Sequence, residues 1–396
     1  VVIVGAGLAG ARSVMELRGR GYLGKITLLG AERLPPYDRP PLSEELLSGT
    51  EPKWLRHEVG ADLESADVEV ALGEAVQGIA PRDGGWTLTT HRRELAADAV
   101  IAATGAHPLV PSAWQGAAAL HTWDDATQLR ERVTNANSLV CIGAGWIGAE
   151  VSGVAAQAGV EVTVVEAGPA PLVSVLGAEV GALLLPWYEA AGINLRTHTT
   201  VATANTHSAT LTSGEVVAAD VVLAAVGVAP ETQWLEMTGV ELSVSSHVRV
   251  DAAQRTSLPG LWAVGDCAVR ESEVHGTVVG GHWDAALNDP ARAAASILGQ
   301  EIPAEPAPYV FSNQLGHNIA LVGAPQRGTR WELRGNTDAE WSALWFDEAG
   351  ALIAVFTADR PRDTIDARRL LAAGPVPINE QIALDPARRL REALPK

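Results

Sequence analysis

Two glycine-rich segments limit what this chain can fold into. VVIVGAGLAG, residues 1–10, places Gly5, Gly7 and Gly10 directly after an apolar run, and SLVCIGAGWIG, residues 138–148, does the same with Gly143, Gly145 and Gly148. An apolar run followed by this glycine spacing reads as a buried strand that turns sharply into a helix. The first glycine permits the turn, the second lets a pyrophosphate approach the backbone, and the third lets helix and strand pack closely. The free N–H groups of the first helical turn then face the anion. One such segment is a common glycine turn. Two, each in strand–turn–helix context, predict two dinucleotide sites, and a chain holding two nucleotides is built to move electrons between them.

The remaining composition narrows the function by exclusion. A length of 396 residues leaves room for two or three domains. The net charge of −18 argues against a nucleic-acid partner, because phosphate binding needs a basic footprint, and none is expected. No apolar run approaches the ~18 residues that span a bilayer, so no membrane partner is expected and the chain reads as soluble and cytoplasmic. The only cysteines, Cys141 and Cys267, sit in apolar contexts (LVCIG and VGDCA) without a CxxC or CxxxxC pair. They are expected to be buried structural thiols rather than a redox dithiol, in a reducing compartment. No metal site is expected.

The pattern along the chain predicts nested domains in an α/β fold with two Rossmann-like nucleotide-binding domains. Strand 1–4, helix 8–19 and strand 25–29 open the first, and strands near 68–72 and 86–90 follow. Helix 124–133, strand 138–142, helix 146–158 and strand 160–165 form the second. LPGLWAVGDCA, 258–268, then returns to the first domain with a helix near 284–298. The expected boundaries are 1–107 with 235–308, then 108–234. Past a linker marked by Pro303, Pro306 and Pro308, residues 309–396 form a small α+β domain with an antiparallel sheet.

PPYDRPPLS (35–43), ATG (103–105), GAGWIGAE (143–150), WAVGDCA (262–268), YVFSNQ (309–314) and DRPRDTIDARRLL (359–371) occur in this order along the whole chain. In these segments the chain resembles the oxygenase-coupled NADH:ferredoxin reductases, flavoproteins of the glutathione-reductase-like superfamily. The resemblance implies FAD in the first site, NADH in the second, and a 2Fe–2S ferredoxin (or a rubredoxin) that feeds an oxygenase or cytochrome P450. It implies that Gly5, Gly7, Leu8, Ala9 and Gly10 cradle the FAD pyrophosphate. Arg39, Pro40, Ala103, Thr104, Gly105 and His121 would lie along the flavin, with Gly265 and Asp266 at the ribityl chain and Trp283 against the ring. Ala31 stands where the family has a ribose-binding Asp, so Glu32 is the expected substitute.

For the second site, Gly143, Gly145, Trp146, Ile147, Gly148 and Gly227 are expected around NAD. Glu166 ends the following strand, where a carboxylate accepts from a 2′-hydroxyl and repels a 2′-phosphate, and no Arg or Lys follows closely. The site therefore reads as NADH-preferring. Glu150 resembles the family carboxylate by the nicotinamide, where it orients the amide. Hydride transfer needs no acid or base, so the protein's contribution is alignment and no proton-transfer catalyst is named. Glu44 replaces a lysine of the family, His121 an arginine, Gly281 a glutamate and Phe311 a tryptophan. Glu44 and Glu150 in one pocket would repel, leaving one protonated or Glu44 turned outward. Arg360, Arg362, Arg368 and Arg369 form a candidate ferredoxin-docking cluster. Two other readings stay open. An NADH oxidase, peroxidase or CoA-disulfide reductase needs a redox cysteine near residue 43, where this chain has Ser43. A catalytically weakened flavoprotein would act by binding partners.

Overall fold

The computed structural model describes residues 1–395. The backbone forms two compact units. One comprises Val1–Asp38, Pro52–His107 and Ala229–Pro308, and the other comprises Arg39–Glu51, Pro108–Val228 and the chain from Tyr309 onward.

The first unit is built on a parallel sheet in the order Leu261–Ala263, Val100–Ala102, Val2–Val4, Thr27–Gly30, Glu69–Leu72. Its central strands are buried on both faces, which is why they read as unbroken apolar runs. Ile3, Leu28 and Ile101 point to one face and meet Val14 and Leu17 of the Leu8–Gly19 helix and Ala293 and Ala294 of the Trp283–Ile297 helix. Val2, Val4, Val100 and Ala102 point to the other and meet Ile79, Trp86 and Leu88. Those three lie on an antiparallel ribbon of Val76–Arg82, Gly85–Thr90 and Glu94–Ala97.

The second unit repeats the plan in a parallel sheet ordered Asn194–Arg196, Glu161–Val165, Ser138–Ile142, Val221–Ala224. Residues 309–358 add an antiparallel sheet in the order Tyr309–Gln314, His317–Gly323, Ala351–Ala358, Trp341–Phe346, Arg330–Gly335. Its inner face, with Leu321, Trp341, Trp345 and Phe356, packs on Leu172, Leu176, Val180, Leu184 and Trp187. That apolar seam makes 309–395 one compact body with 108–228, although the proline linker sets it apart in sequence. Residues 39–51 also fold with this unit rather than with the sequence around them.

The C-terminal turns are held by Arg334, which is fully buried. Its guanidinium donates to Asp363 Oδ2 at 2.8 Å and to the carbonyls of Ala383 (2.7 Å), Asp385 (2.5 Å) and Arg388 (2.6 Å). Burial pushes the Asp363 carboxyl up, but the hydrogen bonds and charge of Arg334 and Arg360 outweigh it and hold the group below the usual carboxylate range. A depressed carboxylate contributes stability above its unfolded pKa of about 3.9 and loses it as pH falls through the folded value. Arg334→Met strands three buried carbonyls and leaves the Asp363 carboxylate to Arg360. It should cost about 3–5 kcal/mol, read as a lowered thermal midpoint, and shrink the loss of stability expected of the wild type below about pH 4.

Candidate functional site

Each fingerprint folds into a cradle with almost the same backbone. Gly5 and Gly143 have φ of +110° and +105°, in the left-handed region that side chains avoid. A Cβ on Gly5 would lie 2.1 Å from the Ala103 carbonyl oxygen, and one on Gly143 2.4 Å from that of Ala225. A Cβ on Gly10 or Gly148 would lie 1.8 Å or 2.1 Å from the carbonyl oxygen of the first glycine in its own cradle. The middle glycines differ in kind. Gly7 and Gly145 cap the Leu8–Gly19 and Trp146–Gln157 helices without a side-chain hydrogen bond; a Cβ on Gly7 would meet nothing, and one on Gly145 only the Ala225 carbonyl oxygen at 4.0 Å. Both cradles thus present helix N–H groups to open space, the donor set a pyrophosphate needs. Leu8 and Ala9 start the first helix and Trp146 and Ile147 the second.

Around the first cradle, Glu32 follows the Thr27–Gly30 strand and accepts from the Tyr37 hydroxyl at 2.5 Å. Ala103, Thr104 and Gly105 follow the Val100–Ala102 strand, and the Thr104 hydroxyl donates to the Glu231 carbonyl at 2.5 Å. Gly265 and Asp266 form a tight turn after Leu261–Ala263, where Asp266 Oδ1 accepts from Gly281 N at 3.0 Å. Gly281 has φ of +121°, so the family's glutamate would be strained at this position. The indole of Trp283 donates to Asp38 Oδ1 at 2.8 Å. Beneath the turn, buried Asp289 accepts from Gly265 N at 3.3 Å and pairs with Arg270 at 3.3 Å. Burial pushes the Asp289 carboxyl up to about 6 against the pull of Arg270. Asp289 carries no motif that sequence reading can find, and Asp38 lies inside the PPYDRPPLS segment, which assigns it no role.

In the second unit, Glu166 directly follows the Glu161–Val165 strand and accepts from Ala144 N at 2.8 Å and Gly168 N at 2.6 Å. Gly227, with φ of +112°, accepts from Leu109 N at 2.9 Å. Arg39, Pro40 and His121, expected along the flavin, fold with this unit, and Arg39 donates to the His121 carbonyl. Ser43, on the short Pro41–Glu44 helix, donates to Glu150 Oε2 at 2.5 Å, and Ser312 donates to Glu150 Oε1. Glu150 is 8% exposed, and burial, with a smaller push from Glu44, raises its carboxyl to about 7 against the two serine hydrogen bonds. The repulsion expected between the two glutamates is therefore the lesser cause. Glu44 Oε1 accepts from the backbone and side-chain nitrogens of Asn313, each at 3.2 Å.

Both cysteines are free and buried, and burial pushes their thiols up, Cys141 to about 12 and Cys267 to about 11, far from a reactive thiolate. Among the described residues no helix is long and apolar enough to cross a membrane, and no cluster of His, Cys, Asp or Glu has metal-ligand geometry. Of the four arginines in the candidate docking cluster, Arg360 is 10% exposed and paired with Asp363 at 2.6 Å, so it serves the fold. Arg362, Arg368 and Arg369 are exposed on the Pro361–Leu370 helix, and Arg368 lies 4.3 Å over the Tyr309 ring.

The two kinds of glycine predict two kinds of failure. Gly7→Val should leave the chain folded but abolish nucleotide retention at the first cradle. Gly10→Val should unfold the unit, because its side chain collides with backbone. Circular dichroism together with cofactor absorbance separates the outcomes.

The pyridine nucleotide-disulphide oxidoreductase family matches residues 1–289, and the reductase C-terminal family matches residues 309–394. The ferredoxin–NAD(+) reductase subunit of the benzene 1,2-dioxygenase system of Pseudomonas putida is 31% identical over 391 residues, covering 97% of this chain and 95% of that protein. Among solved structures, Fdr9 superposes with a TM-score of 0.90 at 39% identity, covering 100% of this chain and 99% of that one. The putidaredoxin reductase–putidaredoxin covalent complex gives 0.90 at 26% identity, covering 99% of this chain and 97% of that one. Two glycine cradles, a buried serine in place of a reactive thiol and full-length agreement with these reductases converge: the chain belongs to the pyridine nucleotide-disulphide oxidoreductase family.

Proposed function

We propose that this chain carries electrons from NADH through FAD to a 2Fe–2S ferredoxin that serves an oxygenase or cytochrome P450. The observation that carries the reading is the pair of uncapped fingerprint helices in one chain. A fold that leaves both sets of N–H donors facing open space is suited to two dinucleotides. Gly5, Gly7 and Gly10 would hold the FAD pyrophosphate and Glu32 the adenosine ribose. Asp266 would take the ribityl chain, with Ala103, Thr104, Gly105 and Trp283 along the ring. Bound FAD supplies an acceptor that takes two electrons and passes them on singly. Gly143, Gly145 and Gly148 would hold the NADH pyrophosphate, with Glu166 selecting against a 2′-phosphate. Glu150 would face the nicotinamide. Buried high-pKa thiols exclude a dithiol relay through Cys141 or Cys267 and fit a reducing, cytoplasmic setting.

Arg362, Arg368 and Arg369 are the exposed cations proposed to steer the ferredoxin, and Arg360 leaves the set because it is committed to Asp363. The purified protein should be yellow, bleach on adding NADH in preference to NADPH, and reduce cytochrome c quickly only when a 2Fe–2S ferredoxin is present. A colourless protein that takes up no flavin on reconstitution overturns the reading. Arg362→Glu with Arg369→Glu should lower the association rate with ferredoxin about tenfold and flatten its salt dependence, measured by stopped flow at varied ionic strength.

A further inference from the structure

Three segments of the second unit converge on one buried carboxyl. The Pro41–Glu44 helix brings Ser43, the Trp146–Gln157 helix brings Glu150, and the Tyr309–Gln314 strand brings Ser312. Ser43 is 5% exposed and Ser312 2%, and among the described residues Glu150 accepts from these two hydroxyls and from no cation. A hydroxyl donates or accepts by rotating, so this setting suits the carboxyl in either state. Ser312 Oγ accepts from Gln314 Nε2 at 3.0 Å, which leaves its own hydrogen for Glu150. Ser43 has a second target, the Pro40 carbonyl at 3.3 Å. When Glu150 carries a proton, Ser43 can turn its own hydrogen to Pro40 and accept from the carboxyl. Both states are then satisfied with little movement of heavy atoms.

We propose that the carboxyl of Glu150, seated between Ser43 and Ser312, discriminates between oxidised and reduced nicotinamide nucleotide by its own protonation. This rests on the reading of the second fingerprint as a nicotinamide dinucleotide site. Glu150 lies about 7.5 Å along the helix from Gly145, five residues at 1.5 Å each. The oxidised ring is a cation and the reduced ring is neutral. The ionised carboxyl stabilises the cation, while the protonated carboxyl, its O–H held by Ser43, sets no charge beside the neutral ring. Retention of NAD+ therefore breaks the O–H bond of Glu150 and sends the proton to water, leaving a carboxylate beside the ring cation. By linkage, NAD+ lowers the pKa of Glu150 and the carboxylate raises the affinity for NAD+.

The surrounding charges place this titration in a useful range. The elements packed on the helix carry Glu44, Cys141, Glu161 and Tyr309 as titratable groups. Glu161 is exposed, and Cys141 stays neutral with its thiol at about 12. Burial first, then Glu44, puts the Glu150 carboxyl at about 7 in the free protein.

The test is calorimetric titration of the full-length flavoprotein with NAD+, and with ADP-ribose as a probe that lacks the ring, from pH 5.5 to 8.5. The expected dissociation constant for NAD+ is flat above the Glu150 pKa and rises as pH falls, about tenfold for each unit below it until the lowered pKa of the complex is reached. ADP-ribose should show no such rise. Glu150→Gln should abolish the pH dependence of NAD+ binding. Ser312→Ala removes a donor to the anion and should move the midpoint up, and Glu44→Lys should move it down. A purely structural role for these residues leaves the midpoint in place. If NAD+ tracks ADP-ribose at every pH, or Glu150→Gln keeps the wild-type slope, the proposal is overturned while the nucleotide site stands. If neither ligand binds, both fall.

Discussion

A helix leaves its first N–H groups without partners, and this chain handles that obligation in two opposite ways. At the Trp123–Thr134 helix, Thr122 accepts from Asp125 N while the Asp125 carboxylate accepts from Thr122 N, so the chain satisfies its own donors. At Leu8–Gly19 and Trp146–Gln157 the cap is a glycine with no side chain to offer. With glycine as the cap, withholding a side-chain bond costs only about a few tenths of a kcal/mol per helix, a cost recovered when an anion sits on the exposed donors. Much else follows from keeping those donors open. The first glycine must take a left-handed φ, and the third must let its helix press on the turn at a distance no Cβ allows. The strand beneath must be buried on both faces so that the turn is rigid.

The chemistry available at such sites is set by what lies beside them. Where a disulfide mechanism needs a thiolate, this chain has Ser43, whose hydroxyl serves Glu150. The two thiols it does possess are buried in or just after strands of the parallel sheets, Cys141 against the carbonyls of Gly143 and Gly148 and Cys267 against those of Ala102 and Val264. They fill space beside the cradles. What remains for the protein is to bind, orient and adjust charge, and the carboxyl of Glu150, raised to about 7 by burial, is the group proposed for that adjustment.

Local periodicity was readable and long-range partnership was not. The helix expected at 8–19 forms at Leu8–Gly19, and the strand expected at 138–142 forms at Ser138–Ile142, because glycine spacing and apolar runs are local signals. Glu150, by contrast, meets Ser43 across 107 residues and Ser312 across 162, and no pattern in the sequence joins the three. The same limit hid Asp289 beneath the Gly265 turn. It also hid the seam of Leu172, Leu176 and Trp187 against Trp341 and Phe356, which joins the C-terminal sheet to the second nucleotide fold. Proline and glycine mark where a chain may be cut in sequence. Apolar faces decide what folds together.

The acidity of the chain bears on how the proposed ferredoxin, were it also acidic, would approach. A net charge of −18 repels an acidic partner at long range in dilute salt. At physiological ionic strength the screening length is about 8 Å, so an approaching surface responds to the charges nearest to it. On the Pro361–Leu370 helix those are Arg362 and Arg369, one full heptad apart and hence on one face, with Ile365 49% exposed between them. An apolar side chain flanked by cations is the composition of a small interface that is steered by charge and held by desolvation. Arg334 and Arg360 spend their charge internally, on Asp363, and so fix the helix that presents the others. With Arg334 and Arg360 buried and Arg362 and Arg369 exposed, the helix would offer local attraction on a repulsive body, and the proposed docking would then depend on salt.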